Sequence, residues 1–376
     1  MKQRILTLVL LVAMLFTQVP LLPISAEDTE LEKVTVILDY VFNTNHAGLL
    51  VALENGYYEE EGLDVEIIEP AEGVTTTLIS VGRGDYGVTY QEDLVYARTA
   101  EDPLPIVAIA AVIQNNTSGF VSAKSKNITR PKDFEGKVYS GWGSPAEEAI
   151  LHAVMLADGA DPELLEYSMS SFSDYRVLEG DIDLLWFFKA WDLVMAQREG
   201  LELNYIPNYE YDERLNFYTP ILFTTEDKIA EDPEQVEAFM KATSRGYEDA
   251  IADPKAAAAI VHKYAPLYEL DFLEESMEIL ADEYAKGADR WGEMKKEVWD
   301  NYSDFMFEYD LIPEMPESEE CYTNEFLPEA KADDGAEDAN DGNEASEADE
   351  TTEVEAEAEA SEKIDDNEDT QEADED

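Results

Sequence analysis

The sequence predicts an α/β protein of two lobes followed by a helical C-terminal section. Three observations carry that expectation. Short β-branched runs alternate with helix-compatible segments between Val34 and Ile113, the alternation restarts at Lys137, and from Asp232 to about Tyr309 the spacing is helical. The alternation indicates βαβ units on a mostly parallel sheet.

Taken in order, Val34–Asp39 is a strand that ends at the loop signal Asn43-Thr44-Asn45. Ala47–Glu61 has helical spacing, with Leu50, Leu53, Tyr57 and Tyr58 on one side and Gly62 as terminator. Asp64–Glu69 is a strand, Thr75–Val81 a helix and Tyr86–Tyr90 a third strand. Ile106–Ile113 is continuously apolar, as expected of a strand buried on both faces. In the second half Lys137–Ser140 is a strand, and Ser144–Asp158 a helix with Ser144 at N-cap, Pro145 at N1 and Glu147 completing a capping box. Leu165–Met169, Asp183–Phe188 and Leu201–Ile206 are strands, with Asp192–Arg198 helical between the last two. Asp232-Pro233-Glu234-Gln235 repeats the capping signature, and Val236, Phe239, Met240, Thr243 and Tyr247 follow at helical spacing.

The ends have a different character. Lys2 and Arg4, an apolar run from Ile5 to Phe16 and small residues before Glu27 read as a signal peptide over residues 1–26, too short in its apolar part to span a bilayer. No cysteine lies near this site, so a lipid-modified N-terminus is not expected; the protein is expected to be exported, to the periplasm or the outer face of the membrane. Residues 331–376 hold 22 acidic residues, two lysines and no aromatic, which predicts a disordered tail. Between the ends the expected division is lobe 1 from 27–120 plus 221–330 and lobe 2 from 121–220.

Composition limits the function. The chain has 376 residues and a net charge of −62, of which residues 27–330 carry −44. Such a polyanion without a basic patch excludes nucleic acid as a partner. One cysteine excludes an intramolecular disulfide and cysteine-built metal sites, and three histidines leave little for a histidine-built centre. No triad order, Walker loop or metal-spaced cluster appears, so neither catalysis, a metal nor a cofactor is expected.

Ligands of open α/β sheets sit beyond the carboxyl ends of strands, between lobes. Four segments there are rich in aromatic and polar residues: Asp39–His46, Tyr90-Gln91-Glu92, Gly141–Pro145 and Trp186–Asp192. Tyr40 and His46 are candidate ligand contacts, while Asn43 and Asn45 serve equally well as turn residues. Glu92 either favours a helix dipole or accepts hydrogen bonds from a ligand. Trp142 lies between two glycines, a poor core setting. Trp186 and Phe188 share a strand face, so one of them is core, and Trp191 and Asp192 lie at the tip. Trp291 and Trp299 are assigned to the core. Aromatic faces with a few carboxylates suit a flat, nitrogen-rich small molecule.

Eight short segments, in order, resemble one family: Asp39–His46, Tyr90-Gln91-Glu92, Asn115–Gly119, Gly141–Pro145, Trp191-Asp192, Tyr218-Thr219-Pro220, Arg290-Trp291-Gly292 and Thr323–Pro328. They look like the thiamine-precursor-binding branch of the periplasmic-type solute-binding proteins, in the family that also contains the fungal pyrimidine synthase of thiamine biosynthesis. The resemblance implies a type II periplasmic-binding-protein fold, two α/β lobes joined by two crossovers with the ligand cleft between them. It also implies a monomer that delivers N-formyl-4-amino-5-aminomethyl-2-methylpyrimidine, or hydroxymethylpyrimidine, to an ABC permease. Carried over, it sets Tyr40, Asn43, His46, Tyr90, Glu92, Trp142, Trp191 and Asp192 around the pyrimidine; Asn115, Phe188 and Tyr218 complete the candidate set. Relatives read Asp-Trp-X-Pro-Asn where this chain has Asp39-Tyr40-Val41-Phe42-Asn43, which keeps a stacking face and adds a hydroxyl. The synthase carries a lysine and a histidine after the third strand and a cysteine-rich motif later. This chain has Thr89-Tyr90-Gln91-Glu92-Asp93 and only Cys321, which argues against the enzyme. Riboflavin or another flat heterocycle is the alternative ligand.

Overall fold

The computed structural model describes residues 30–70, 74–168 and 174–330. The signal peptide and acidic tail inferred from sequence lie outside the described residues, as does Met169 at the end of an expected strand.

The first sheet grows from the expected runs. Strands β1 (Glu32–Ile37), β2 (Leu63–Ile68), β3 (Tyr86–Thr89) and β4 (Ile106–Ala111) are four of its five members. β4 is buried along its whole length, as its unbroken apolar sequence requires. After β4 the chain enters β5 (Ser118–Ala123), passes through β6 (Val138–Ser140), β7 (Glu166–Ser168), β8 (Leu185–Phe188) and β9 (Leu203–Pro207), and returns as β10 (Ile221–Thr225). β10 inserts into the first sheet, giving the order β2-β1-β3-β10-β4, while β8-β5-β9 form the second sheet and β6-β7 a separate pair.

The expectation of a mostly parallel sheet needs correcting. β1 pairs in parallel with β2 and β3, and β6 with β7, but β10 is antiparallel to both its neighbours and so is β5. The reason is topological. A chain that leaves one sheet and returns to it from another needs no right-handed helical crossover, so the returning strand is free to run antiparallel. β5 and β10, the strands next to these crossings, were also the two that the sequence pattern did not mark.

The helices follow their end signals. Ser144 caps helix Pro145–Ala157, its Oγ accepting from Glu147 N at 3.1 Å. Glu147 does not close a capping box onto Ser144. Its carboxylate reaches further back, accepting from Gly143 N at 2.6 Å and Trp142 N at 3.3 Å. The expected helix 47–61 is two helices, Ala47–Glu54 and Tyr57–Glu60, separated by Gly56 at φ 75°. That left-handed backbone ends one helix and lets the next begin at a new angle. Helices Pro233–Ala252, Pro254–Tyr264, Leu270–Glu283 and Lys296–Glu308 make up the C-terminal section and cover the first sheet; Trp291 and Trp299 are buried within it. Asp232 caps the first of these through Gln235 N.

Candidate functional site

A cavity of about 390 Å³ opens beyond the carboxyl ends of β1, β3 and β8. One wall comes from the segment after β1, with Asp39, Tyr40, Asn43, Thr44 and Asn45, joined by Tyr90 at the end of β3. The opposite wall is Phe188, Ala190, Trp191 and Asp192 after β8, with Tyr175 behind them, and Tyr268 and Leu280 close the rim from the helical section.

The loop after β1 is held by its own side chains. Asn43 Oδ1 accepts from Asn45 N at 2.8 Å, and the Asn43 amide donates to His46 Nδ1 at 3.3 Å. With Nδ1 an acceptor, the ring proton sits on Nε2, which donates to Asp39 Oδ1 at 2.8 Å. Asp39 has a side chain only 5 % exposed. Its burial pushes the carboxyl pKa up, but the hydrogen bond from His46, with a further bond from the Tyr90 hydroxyl, outweighs burial and holds it below the ordinary range. Burial, with Asp39 beside it, raises the Tyr90 phenol, so that hydroxyl keeps its proton as a donor.

After β8 the chain makes a π-helical turn, Lys189–Leu193, before helix Val194–Arg198. Sequence spacing suggested an ordinary helix from Asp192. The wider turn instead directs Ala190, Trp191 and Asp192 to the cavity, a use to which such turns are often put. Asp192 accepts from the Tyr175 hydroxyl at 2.9 Å and from Phe188 N at 3.0 Å, and its burial raises its pKa. Trp191 packs edge-on against Tyr268 and Phe272, with centroids 4.8 and 4.9 Å away. Among the described lining residues there is no lysine, arginine or histidine. Two carboxylates between aromatic faces, with acceptor capacity to spare, favour a ligand rich in N–H donors and disfavour an anion.

Six of the sequence candidates therefore share this cavity: Tyr40, Asn43, Tyr90, Phe188, Trp191 and Asp192. The others sit elsewhere. His46 is fully buried behind Asp39, and Tyr218 is buried with its hydroxyl accepting from Lys295 N at 2.8 Å. Glu92 and Trp142 line a second cavity of about 460 Å³ with Asp93 and Tyr96. There Glu92 accepts from the Tyr302 hydroxyl at 2.5 Å, and burial carries its pKa up to about 7. Asn115 borders a third cavity and accepts from Asn216 Nδ2 at 2.9 Å.

The family described as NMT1/THI5 like matches residues 43–257. This chain belongs to that family. Within it, the chain is 27% identical over 330 residues to the formylaminopyrimidine-binding protein of Halalkalibacterium halodurans, covering 84% of this chain and 97% of the relative. It is also 24% identical over 319 residues to the 4-amino-5-hydroxymethyl-2-methylpyrimidine phosphate synthase of Legionella pneumophila, covering 80% and 94%. Among solved structures, the periplasmic aliphatic sulphonate binding protein SsuA of Escherichia coli matches with a TM-score of 0.60 at 14% identity, over 77% of this chain and 96% of that one. The fold is that of the type II periplasmic binding proteins, two α/β lobes around a cleft.

Sequence reasoning on this NMT1/THI5-like chain did not select Asp39, Tyr175, Tyr268, Thr117, Met195 or Leu280. Asp39 both ends the expected strand Val34–Asp39 and begins the segment Asp39–His46, and it is the fold that places it on the cavity. Tyr268 lies in the turn between helices Pro254–Tyr264 and Leu270–Glu283, and Leu280 on the second of them, beyond the second sheet, where no strand end marks them. No local signal identifies such residues; only tertiary folding brings them to the rim.

Proposed function

We propose that this chain is the exported solute-binding protein of an ABC importer and captures an aminopyrimidine precursor of thiamine, N-formyl-4-amino-5-aminomethyl-2-methylpyrimidine or hydroxymethylpyrimidine. The observation that carries the reading is the cavity beyond β1, β3 and β8: Asp39 and Asp192 line it together with aromatic faces, and no cationic side chain is among the described lining residues. An aminopyrimidine offers a flat ring for Tyr40, Tyr90, Phe188 and Trp191, and amino groups for the two carboxylates. The near full-length likeness to a formylaminopyrimidine-binding protein supports the same ligand class.

Binding rather than synthesis is the reading favoured by Thr89-Tyr90-Gln91-Glu92-Asp93 after β3 and by a single cysteine. Burial pushes the Cys321 thiol up to about 11, so it stays protonated near neutral pH. In this reading lobe 1 comprises 27–120 with 221–330, lobe 2 comprises 121–220, and the monomer closes on its ligand before meeting a permease.

Titration calorimetry of the purified chain with each pyrimidine tests it. Saturable heat with a thermal upshift is the expected result; neither heat nor shift at ~1 mM ligand would overturn the proposal. Quenching of riboflavin fluorescence in place of pyrimidine binding would move the assignment to a flavin, and a pyridoxal absorbance band would move it to the synthase.

A further inference from the structure

We infer that His46 is a positioning residue that acts on the ligand through Asp39, fixing, together with the Tyr90 hydroxyl, the orientation in which that carboxylate faces the cavity. The inference rests on the proposed binding function and deepens it.

His46 has no face on the cavity: its side chain is 1% exposed and Asp39 stands between it and the ligand space. Its two ring nitrogens are used in opposite senses. Nδ1 accepts from the Asn43 amide, and Nε2 donates to Asp39 Oδ1. One backbone hydrogen bond thus selects the tautomer that can hold the carboxylate. The reverse tautomer would set an N–H against an N–H at Asn43 and leave Asp39 facing a bare nitrogen lone pair.

The loop carrying His46 is itself fixed from the helical section. The Tyr247 hydroxyl donates to Asn45 O at 2.8 Å, Thr44 Oγ1 pairs with Ser276 Oγ at 2.7 Å, and the Tyr284 hydroxyl donates to Thr44 O. These contacts hold the imidazole at a set depth beneath the cavity floor. An ordered acceptor binds more tightly than a free one, because less rotamer freedom is lost when the ligand arrives.

The test uses the full chain and separates the two nitrogens. Glutamine carries a donor near the position of Nε2, whereas asparagine carries an acceptor near Nδ1 and cannot reach Asp39. His46→Gln is expected to keep pyrimidine affinity within about threefold, and His46→Asn to lose about tenfold or more. In an Asp39→Asn background, His46→Asn should cost less than about twofold further, since the group it positions has lost its charge. Equal losses for the two single variants, or full additivity with Asp39→Asn, would overturn the inference. A second measurement needs no ligand: nitrogen NMR of the wild-type imidazole should show the Nε2–H tautomer, and the Nδ1–H tautomer would overturn the inference by itself. If the wild-type chain binds neither pyrimidine, the proposed function fails while the imidazole spectrum still decides the role of His46.

Discussion

The two carboxylates of the cavity differ in how they are held. Asp39 is fixed by an imidazole and the Tyr90 hydroxyl, while Asp192 rests on one hydroxyl and one backbone amide. Each donor uses its own oxygen of Asp192; Asn at position 192 keeps one oxygen for Phe188 N and turns its NH2 to the Tyr175 hydroxyl, which can accept as well as donate, but it loses the negative charge. Asp192→Asn is therefore expected to leave the melting temperature nearly unchanged and to weaken pyrimidine binding about 10- to 100-fold, the range for hydrogen bonds to a charged partner. Calorimetry and a melting curve on the same sample check both halves. Glu92 gives a pH prediction of a different kind. Burial lifts its pKa from 4.5 to about 7, against a smaller lowering by the Tyr302 hydroxyl. Below about pH 4.5 the group is protonated both folded and unfolded and has no effect. As pH rises towards 7 the unfolded chain releases the proton and the folded chain does not, so stability falls, and above 7 the whole penalty remains. Glu92→Gln removes it while keeping an acceptor for Tyr302. The variant should melt with the wild type near pH 4.5 and several degrees above it near pH 8, a difference of up to about 3 kcal/mol. A difference that does not grow with pH would show that Glu92 is not held protonated.

At the scale of elements, the contact between helices Ala47–Glu54 and Pro233–Ala252 depends on two glycines. A Cβ on Gly48 would fall 2.1 Å from the Tyr247 ring, and one on Gly246 would fall 2.1 Å from the Gly48 carbonyl oxygen. The second collision is with backbone, which no side-chain rotation relieves. Gly246→Ala should thus lower stability by about 3 kcal/mol or more despite alanine's better helix propensity. Denaturant unfolding checks this, and a stabilised variant would show that the helices are not held at this distance. The same elements show what could be read from sequence. Capped helices such as Pro145–Ala157 and apolar strands such as β4 were legible because their signals are local: Ser144 and Pro145 at an end, or an unbroken run from Ile106. β5 was not legible. Its sequence, Ser-Gly-Phe-Val-Ser-Ala, is wholly buried yet neither alternates nor runs apolar. Gly119 is small there because Tyr205 and Ile206 of β9 press against it, with Ile206 O only 2.6 Å from where a Cβ would stand. A residue chosen for a distant neighbour carries no local pattern. The same holds for Tyr268 and Leu280 at the cavity rim. Tyr40 and Trp191-Asp192 could be read from sequence because strand ends are where ligands gather.

For the whole molecule the governing quantity is charge. Residues 27–330 hold 65 acids against 21 bases, so at least 44 carboxylates have no cation of their own. Many bases already sit in close pairs, as Arg198 does with Asp271 at 2.7 Å and Glu275 at 3.2 Å, and Arg245 with Glu60 at 2.6 Å. These pairs are exposed, and each is worth ~1 kcal/mol or less, so losing them to added salt changes little. The excess carboxylates repel one another over distances longer than a pair, and that repulsion is the part which salt removes most completely. Unfolding spreads the charges apart, so at low salt the repulsion favours the unfolded chain. The two effects of salt are opposed, and the excess of acids over bases decides between them in favour of stabilisation. The melting temperature should therefore rise by several degrees as sodium chloride goes from about 0.05 to 1 M, most of it at the lower concentrations where the screening length shrinks fastest. Pyrimidine affinity should change far less over the same range, because a neutral ring stacked on aromatic faces does not feel the long-range repulsion that salt screens. Scanning calorimetry and titration calorimetry across one salt series test both. A melting temperature that stays flat or falls would mean that the surface pairs outweigh the repulsion, and that the acidity of the body is not what limits its stability.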